Sequence, residues 1–105
     1  MLHHADDSTF EREVLQHPGS VLVDFYTPTC QPCRQLEPEL QGLSQKFPGV
    51  KIVKVDATRA QQVATYYRVQ SVPVLIGFKN GEPVQRVNGK PPLPRLRQFL
   101  QSLSQ

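Results

Sequence analysis

The sequence predicts an α/β fold in which one central mixed sheet is flanked by helices on both faces. The chain has 105 residues, a length typical of one domain, so we expect residues 1–105 to form a single domain. Helical and strand-like segments alternate in its first half, which favours parallel strands joined by helical crossovers. The last two strand-like segments flank Lys79-Asn80-Gly81, a sequence typical of a tight antiparallel turn.

The first half of the chain is expected to contain a short helix and two buried strands. Ser8 and Glu11 have the spacing of a capping box, which predicts the start of that helix. The residues before Ser8 are expected to form a tail outside the fold. Two β-branched, apolar segments, at 20–26 and 50–57, then predict strands covered on both faces.

A longer helix is predicted from Cys30 to Phe47, because leucines recur there three and four residues apart. Pro38 lies inside this segment and should kink it, since proline has no N–H to donate. Thr58 and Gln61 repeat the capping-box spacing and predict the start of another helix. The remaining predicted elements are strands at 72–78 and 83–87 and a last helix from about Leu93 to Ser104.

Composition excludes several classes of function. The net charge is +3, but the basic residues are scattered and form no stripe with aromatic residues, so we expect no nucleic-acid partner. No apolar run approaches the ~18 residues that span a bilayer, and we expect no membrane association. The first residues lack the basic flank and apolar stretch of a secretory signal, which favours a cytoplasmic protein. No feature indicates oligomerisation, so a monomer is expected.

The two cysteines, Cys30 and Cys33, admit three interpretations: a redox centre, half of a metal site, or a structural disulfide. A tetrahedral zinc site needs four ligands, and the chain has no second cysteine pair. His3, His4 and His17 do not have the spacing of zinc-binding histidines either, so no metal is expected. A disulfide that closes so short a loop would constrain the unfolded chain little. The redox interpretation is therefore favoured.

The position of the pair, directly after a strand and at the start of a helix, also favours redox chemistry. With Cys30 near the N-cap, its sulfur would face unpaired N–H groups of the first turn, including that of Cys33. These donors and the helix dipole favour the thiolate, which is the nucleophile of disulfide exchange. Pro32 is tolerated in a first turn and stiffens it. Cys30 is therefore expected to attack, and the deeper Cys33 to resolve.

Asp24 interrupts an otherwise apolar strand six residues before Cys30. Burial there would raise the pKa of its carboxyl, which could then take the proton that Cys33 must lose before it attacks. Lys54 could pair with Asp24 if their strands are neighbours. The sequence leaves open a solvated aspartate at a strand end and an exposed edge lysine. It also leaves open whether the bond before Pro73 is cis.

Four segments together resemble the thioredoxin family, from about Ser8 to the last helix. They are "VLVDFYTPTCQPCRQLEPEL", "KVDAT", "YRVQSVPVLIGFKNGEPV" and "VNG". The resemblance implies a thioredoxin-like fold and a thiol–disulfide oxidoreductase that reduces protein disulfides without a bound cofactor. It implies that Cys30 is the nucleophile and Cys33 the resolving thiol. Asp24 and Lys54 would be the family's buried acid and lysine.

The same resemblance implies how substrate and electrons reach the site. Val72-Pro73 would be the cis-proline loop, whose Val72 backbone pairs with an incoming peptide. Gly89 would leave room for that peptide in the groove. Partners would be disulfide-containing client proteins and a nicotinamide-dependent thioredoxin reductase. Two alternatives remain: a disulfide oxidant or isomerase of the same fold, and a redox-passive binding module.

Three residues near the cysteines depart from the family pattern. Tyr26 and Thr29 stand where the family usually has tryptophan, and Gln31 stands where thioredoxins usually have glycine. Together with Pro32, Thr29 and Gln31 are expected to contact substrate. Loss of an aromatic side chain at Thr29 would reduce the apolar contact area for a protein substrate. Gln31 could alter the redox potential by hydrogen bonding to a sulfur.

Overall fold

The computed structural model describes all 105 residues and contains a five-stranded mixed sheet with the strand order β1-β3-β2-β4-β5. Strands β1, β3 and β2 are parallel, whereas β4 runs antiparallel to both β2 and β5. This arrangement confirms the predicted mixed sheet. The strands are β1 (Leu2–Ala5), β2 (Ser20–Tyr26), β3 (Val50–Asp56), β4 (Val74–Lys79) and β5 (Glu82–Asn88).

Helices cover both faces of the sheet, as the sequence predicts. They are α1 (Gln31–Ser44), α2 (Gln61–Tyr66) and α3 (Leu93–Leu103), and a π-helical turn spans Glu11–Leu15. On one face, Leu22 and Ile52 pack with the buried leucines of α1 and α3. On the other face, Val23 packs with side chains of the π-helical turn and with residues at both ends of α2. Each face of β2 is thus buried, which explains its almost continuous apolar sequence.

The expectation that the residues before Ser8 form a tail is wrong, because they contain the edge strand β1. This strand pairs in parallel with β3, and His4 lies opposite Lys54. Leu2 is partly buried against the core on one face and Ala5 is buried on the other. Four residues with two adjacent histidines give no strand pattern of their own, so β1 depends on pairing with β3.

The first predicted helix is shorter than expected, and Ser8 does not cap it. The carboxylate of Asp6 instead accepts hydrogen bonds from the backbone N–H groups of Ser8, at 3.0 Å, and Thr9, at 3.1 Å. Aspartate commonly accepts such bonds from residues two and three positions later. The capping box predicted for Ser8 and Glu11 is therefore wrong.

The N-terminus of α2 is also capped differently from the prediction. Asp7, which is distant in sequence, accepts hydrogen bonds from the backbone N–H groups of Gln62, at 3.2 Å, and Val63, at 2.9 Å. Thr58 instead bonds to Asp56 in the preceding turn. The helix start was predicted near the observed residue, but its cap comes from another part of the chain, which local spacing does not reveal.

Candidate active site

The connection from β2 to α1 places Cys30 at the N-cap of α1. Its backbone is extended (φ −83°, ψ 114°), and its sulfur accepts a hydrogen bond from the backbone N–H of Cys33 at 3.2 Å. This geometry confirms the predicted placement. Pro32 occupies the first helical turn, where the N–H that it lacks would have no helical partner. A negative charge on Cys30 Sγ would be stabilised by this donor and by the helix dipole.

Cys30 and Cys33 form a disulfide, with their Cα atoms 5.3 Å apart. The two residues differ in exposure: Cys30 is half-buried, whereas Cys33 is only 2% exposed. An external thiol or disulfide can therefore reach Cys30 Sγ far more readily. The buried sulfur of Cys33 is accessible chiefly to its own partner.

A loop from the other half of the chain faces this disulfide. The Val72–Pro73 peptide bond is cis, which the sequence left open, and the carbonyl oxygen of Val72 lies 3.8 Å from Cys30 Sγ. The backbone N–H of Gly89 donates a hydrogen bond of 2.8 Å to the carbonyl of Pro73. The structure thus brings together Cys30, the Val72-Pro73 loop and Gly89.

Gly89 leaves an open space beside that loop. Its φ is +87°, a value that side chains rarely adopt, and a Cβ atom added there would meet no atom within 4 Å. The backbone therefore favours glycine for its conformation, and the protein leaves the adjoining volume empty. An extended peptide could occupy this volume next to Val72.

Asp24 and Lys54 lie directly opposite each other on the neighbouring strands β2 and β3. Asp24 is 0% exposed and Lys54 3%, so neither the solvated aspartate nor the exposed edge lysine is correct. The Nζ atom of Lys54 lies 3.9 Å from Asp24 Oδ2, and neither carboxylate oxygen of Asp24 has a hydrogen-bond partner. An ionised carboxylate is poorly stabilised in such surroundings.

Burial raises the pKa of Asp24 to about 7. Lys54 opposes this change because its positive charge favours the carboxylate, while the negative charge of Glu37 adds to it. Burial has the largest effect of the three. The carboxyl of Asp24 can therefore bind and release a proton near neutral pH.

Glu37 and Tyr26 also contact Lys54, and the sequence interpretation did not include either contact. The carboxylate of Glu37 forms an ion pair with Lys54, and the Tyr26 ring centroid lies 4.1 Å from Nζ. Glu37 follows Cys33 by four residues, which places both on one face of α1. That spacing could have indicated Glu37 from the sequence.

A small cavity of about 160 Å³ connects the buried sulfur with these charged groups. Cys33, Glu37 and Lys54 all line it. Arg34 closes one side, where its guanidinium donates hydrogen bonds of 3.1 and 2.8 Å to the carbonyl of Pro28. Lys54 and Glu37 thus line the same cavity as the buried Cys33.

The remaining predicted substrate contacts surround the disulfide. Thr29, Gln31 and Pro32 are all exposed, so each could contact a bound molecule. The side chain of Gln31 makes no hydrogen bond to either sulfur in this oxidised structure. Its predicted influence on the redox potential stays a prediction.

No group of three or more histidine, cysteine, aspartate or glutamate side chains could hold a metal ion. No helix has the length and apolar character needed to cross a bilayer.

A partly exposed sulfur at a helix N-terminus, bonded to the sulfur of a buried cysteine, suits reversible exchange of disulfides. A carboxyl that titrates near neutral pH lies beside Lys54, which lines the cavity next to that buried cysteine. This chemistry defines the thiol–disulfide oxidoreductases. The family model described as Thioredoxin matches residues 1–102. The chain therefore belongs to the thioredoxin family. Members of this family are disulfide reductases that bind no cofactor. They act on disulfide-containing proteins and depend on a reductase.

Individual relatives agree with this assignment. Thioredoxin 1 from Nostoc sp. is 43% identical over 96 residues, which is 90% of each chain. Thioredoxin C-2 from Corynebacterium nephridii is 40% identical over 95 residues, covering 90% of this chain and 88% of that protein. A solved structure of a mutant thioredoxin from Halobacterium salinarum superposes with a TM-score of 0.90 at 30% identity, covering 99% of this chain and 91% of that one. This likeness confirms the thioredoxin-like fold.

Proposed function

We propose that this oxidoreductase reduces client disulfides in two exchange steps that begin at Cys30. The Cys30 thiolate attacks one sulfur of the client disulfide, a mixed disulfide forms, and the other client sulfur leaves as a thiolate that takes up a proton. Cys33 then loses its proton and attacks Cys30 Sγ, which releases the second client thiolate. Two electrons pass to the client, and the one proton that Cys33 releases balances the one that the first client thiolate takes up.

The single observation that carries this proposal is the geometry of the Cys30–Cys33 pair. Cys30 Sγ accepts the Cys33 N–H at the start of α1 while the Cys33 side chain is buried. The attacking and resolving roles follow from this difference in access and stabilisation. The reverse assignment would require a client to reach a sulfur that is 2% exposed.

Asp24 serves as the proton acceptor for Cys33, with Lys54 as its charged neighbour. A carboxyl with a pKa of about 7 can take a proton from a thiol and return it near neutral pH. The surroundings of Cys33 support this role, because Lys54 lines the cavity beside Cys33 and its Nζ atom lies 3.9 Å from Asp24 Oδ2.

The client binds as an extended segment across the Val72-Pro73 loop and the space left by Gly89. Backbone groups of Val72 pair with it as a neighbouring strand would. Thr29, Gln31 and Pro32 contact its flanks. A nicotinamide-dependent thioredoxin reductase restores the dithiol, and the protein acts in the cytoplasm as a monomer.

Turnover of insulin disulfides with dithiothreitol as electron donor tests this function. The unmodified protein should accelerate reduction, whereas Cys30→Ala should be inactive. A Cys30→Ala variant as active as the unmodified protein would overturn the mechanism. The redox potential of the Cys30–Cys33 pair tests whether the protein reduces or oxidises its clients. A strongly oxidising value would indicate a disulfide oxidant or isomerase instead of a reductase. Client binding without turnover would indicate a redox-passive module.

A further inference from the structure

Lys54 contacts two carboxylates unequally. It forms a close ion pair with Glu37, whereas its Nζ atom remains 3.9 Å from Oδ2 of the fully buried Asp24. Glu37 lies on α1 with its side chain 53% exposed, so the pair extends toward solvent. The better-hydrated carboxylate therefore forms the closer ion pair, and the buried one has no hydrogen-bond partner.

Other groups around Asp24 do not account for this arrangement. From β4, the residue opposite Asp24 is Leu75, and the buried side chains of α3 are all apolar. Cys33 and Glu37 of α1 line the cavity beside Lys54, and Tyr26 covers the Lys54 ammonium from β2. His4 lies opposite Lys54 on the edge strand β1 and is exposed. Glu37 is thus the one further acid in contact with the Lys54 ammonium.

We propose that Glu37 is a positioning residue for the resolving step: it holds the ammonium of Lys54 away from Asp24 and so keeps Asp24 basic enough to take the proton of Cys33. The inference rests on the proposed role of Asp24. Without Glu37, Lys54 would be free to approach Asp24, and a nearby negative charge would be lost. Both changes favour the carboxylate form and make it a weaker base.

The chain offers a matched control two residues further along the same helix. Glu39 forms an ion pair with Lys90 at 3.1 Å and is absent from the charges that perturb the pKa of Asp24. Glu37→Gln and Glu39→Gln remove the same charge from α1, and each breaks one lysine ion pair. Only the first is expected to release Lys54. Because the Glu37 side chain is half exposed, its glutamine variant should fold.

The test is a titration of the Asp24 carboxyl by carbon-13 NMR in the oxidised protein, which needs no turnover. Glu37→Gln should lower the pKa of Asp24 by about one unit, while Glu39→Gln should leave it within experimental error. Glu37→Asp, which retains the charge, should restore most of the unmodified value. An unchanged pKa of Asp24 in Glu37→Gln would overturn the inference, whatever the activity.

The second measurement is the pH profile of kcat/KM for insulin reduction in the same variants. Glu37→Gln should shift the acid limb of the profile to lower pH by the same amount as the pKa of Asp24. It should also lower the plateau value of kcat/KM severalfold, since a weaker base accepts the proton more slowly. If Glu37→Gln lowers the pKa of Asp24 but leaves the pH profile of kcat/KM unchanged, the result would support the proposal that Glu37 keeps Lys54 away from Asp24. That result would instead overturn the proton-transfer role proposed for Asp24.

Discussion

Asp24 and Lys54 are exact neighbours across β2 and β3, yet the 3.9 Å between Oδ2 and Nζ leaves both carboxylate oxygens without a hydrogen bond. Such a pair does not compensate for the removal of the carboxylate from water. The protein therefore retains a destabilising group next to Lys54, which lines the cavity beside Cys33. This cost is understandable if the unpaired carboxyl is needed for proton exchange.

Stability should consequently depend on the ionisation of Asp24. Its pKa is about 7 in the folded protein, against 3.8 for an ordinary aspartate. Between about pH 4 and pH 7, Asp24 is protonated in the folded protein but ionised in the unfolded chain. The contribution of Asp24 to the free energy of unfolding therefore falls as pH rises through this range. The fall should be about 4 kcal/mol, since one pKa unit corresponds to ~1.4 kcal/mol.

Asp24→Asn removes that dependence and provides the comparison. Urea unfolding of both oxidised proteins should show the variant gaining stability relative to the unmodified protein as pH rises from 4 to 8. The difference should level off above the pKa of Asp24. A difference that stays constant over this range would contradict the buried, titrating carboxyl.

Gly89→Ala should impair the use of protein substrates. The φ of +87° makes the substitution cost about 1 kcal/mol in stability, although no atom of the protein lies within 4 Å of the new Cβ. The methyl group would enter the space assigned to the client, so KM for insulin should rise severalfold. With a small-molecule disulfide the rise should be smaller. Equal effects on both substrates would argue against a peptide beside Gly89.

Thr29→Trp should strengthen the binding of protein clients. Thr29 is exposed next to Cys30, and an indole ring there would add apolar contact area of the kind that the family's usual tryptophan supplies. KM for insulin should fall about fivefold, which corresponds to about 1 kcal/mol. Thr29→Val, which keeps the size of threonine, is the control and should change KM little. A higher KM for the tryptophan variant would count against this substrate surface.

Two glycine variants test the fold independently of the site. At Gly81, φ is +81° and an added Cβ would lie 2.5 Å from the carbonyl oxygen of Leu15, so Gly81→Ala should cost about 2 kcal/mol or more. Gly42 lies in α1 with open space around it, and Gly42→Ala should stabilise the protein by about 1 kcal/mol. Urea unfolding measures both. Similar effects for the two variants would contradict the tight β4–β5 turn.

Long, strongly patterned elements of this protein could be predicted from its sequence, whereas elements that depend on distant partners could not. Helix α1 shows its apolar face in its own leucines, and Cys30 follows a clear strand. Strand β1 has no such pattern and exists because β3 offers it an edge. The cap that Asp7 provides for α2 likewise depends on a tertiary contact.

The functional site likewise combines features that local sequence predicts with features that depend on tertiary packing. The position of Cys30 at the start of α1 follows from local pattern, and a carboxylate inside an apolar strand draws attention to Asp24, although the sequence leaves its burial open. The unequal sharing of Lys54 between Asp24 and Glu37 depends on how α1 sits over the sheet, and the isomeric state of the Val72–Pro73 bond depends on its tertiary setting. Neither property is encoded in a short segment.

The most direct test of the central claim is to trap the mixed disulfide and locate it by mass spectrometry. Cys33→Ser is mixed with oxidised insulin under non-reducing conditions, with Cys30→Ser treated in parallel. The proposed mechanism predicts a stable adduct joined through Cys30 in the first variant and none in the second. An adduct that forms through Cys33 in Cys30→Ser at a comparable rate would contradict the assignment of Cys30 as the attacking thiol.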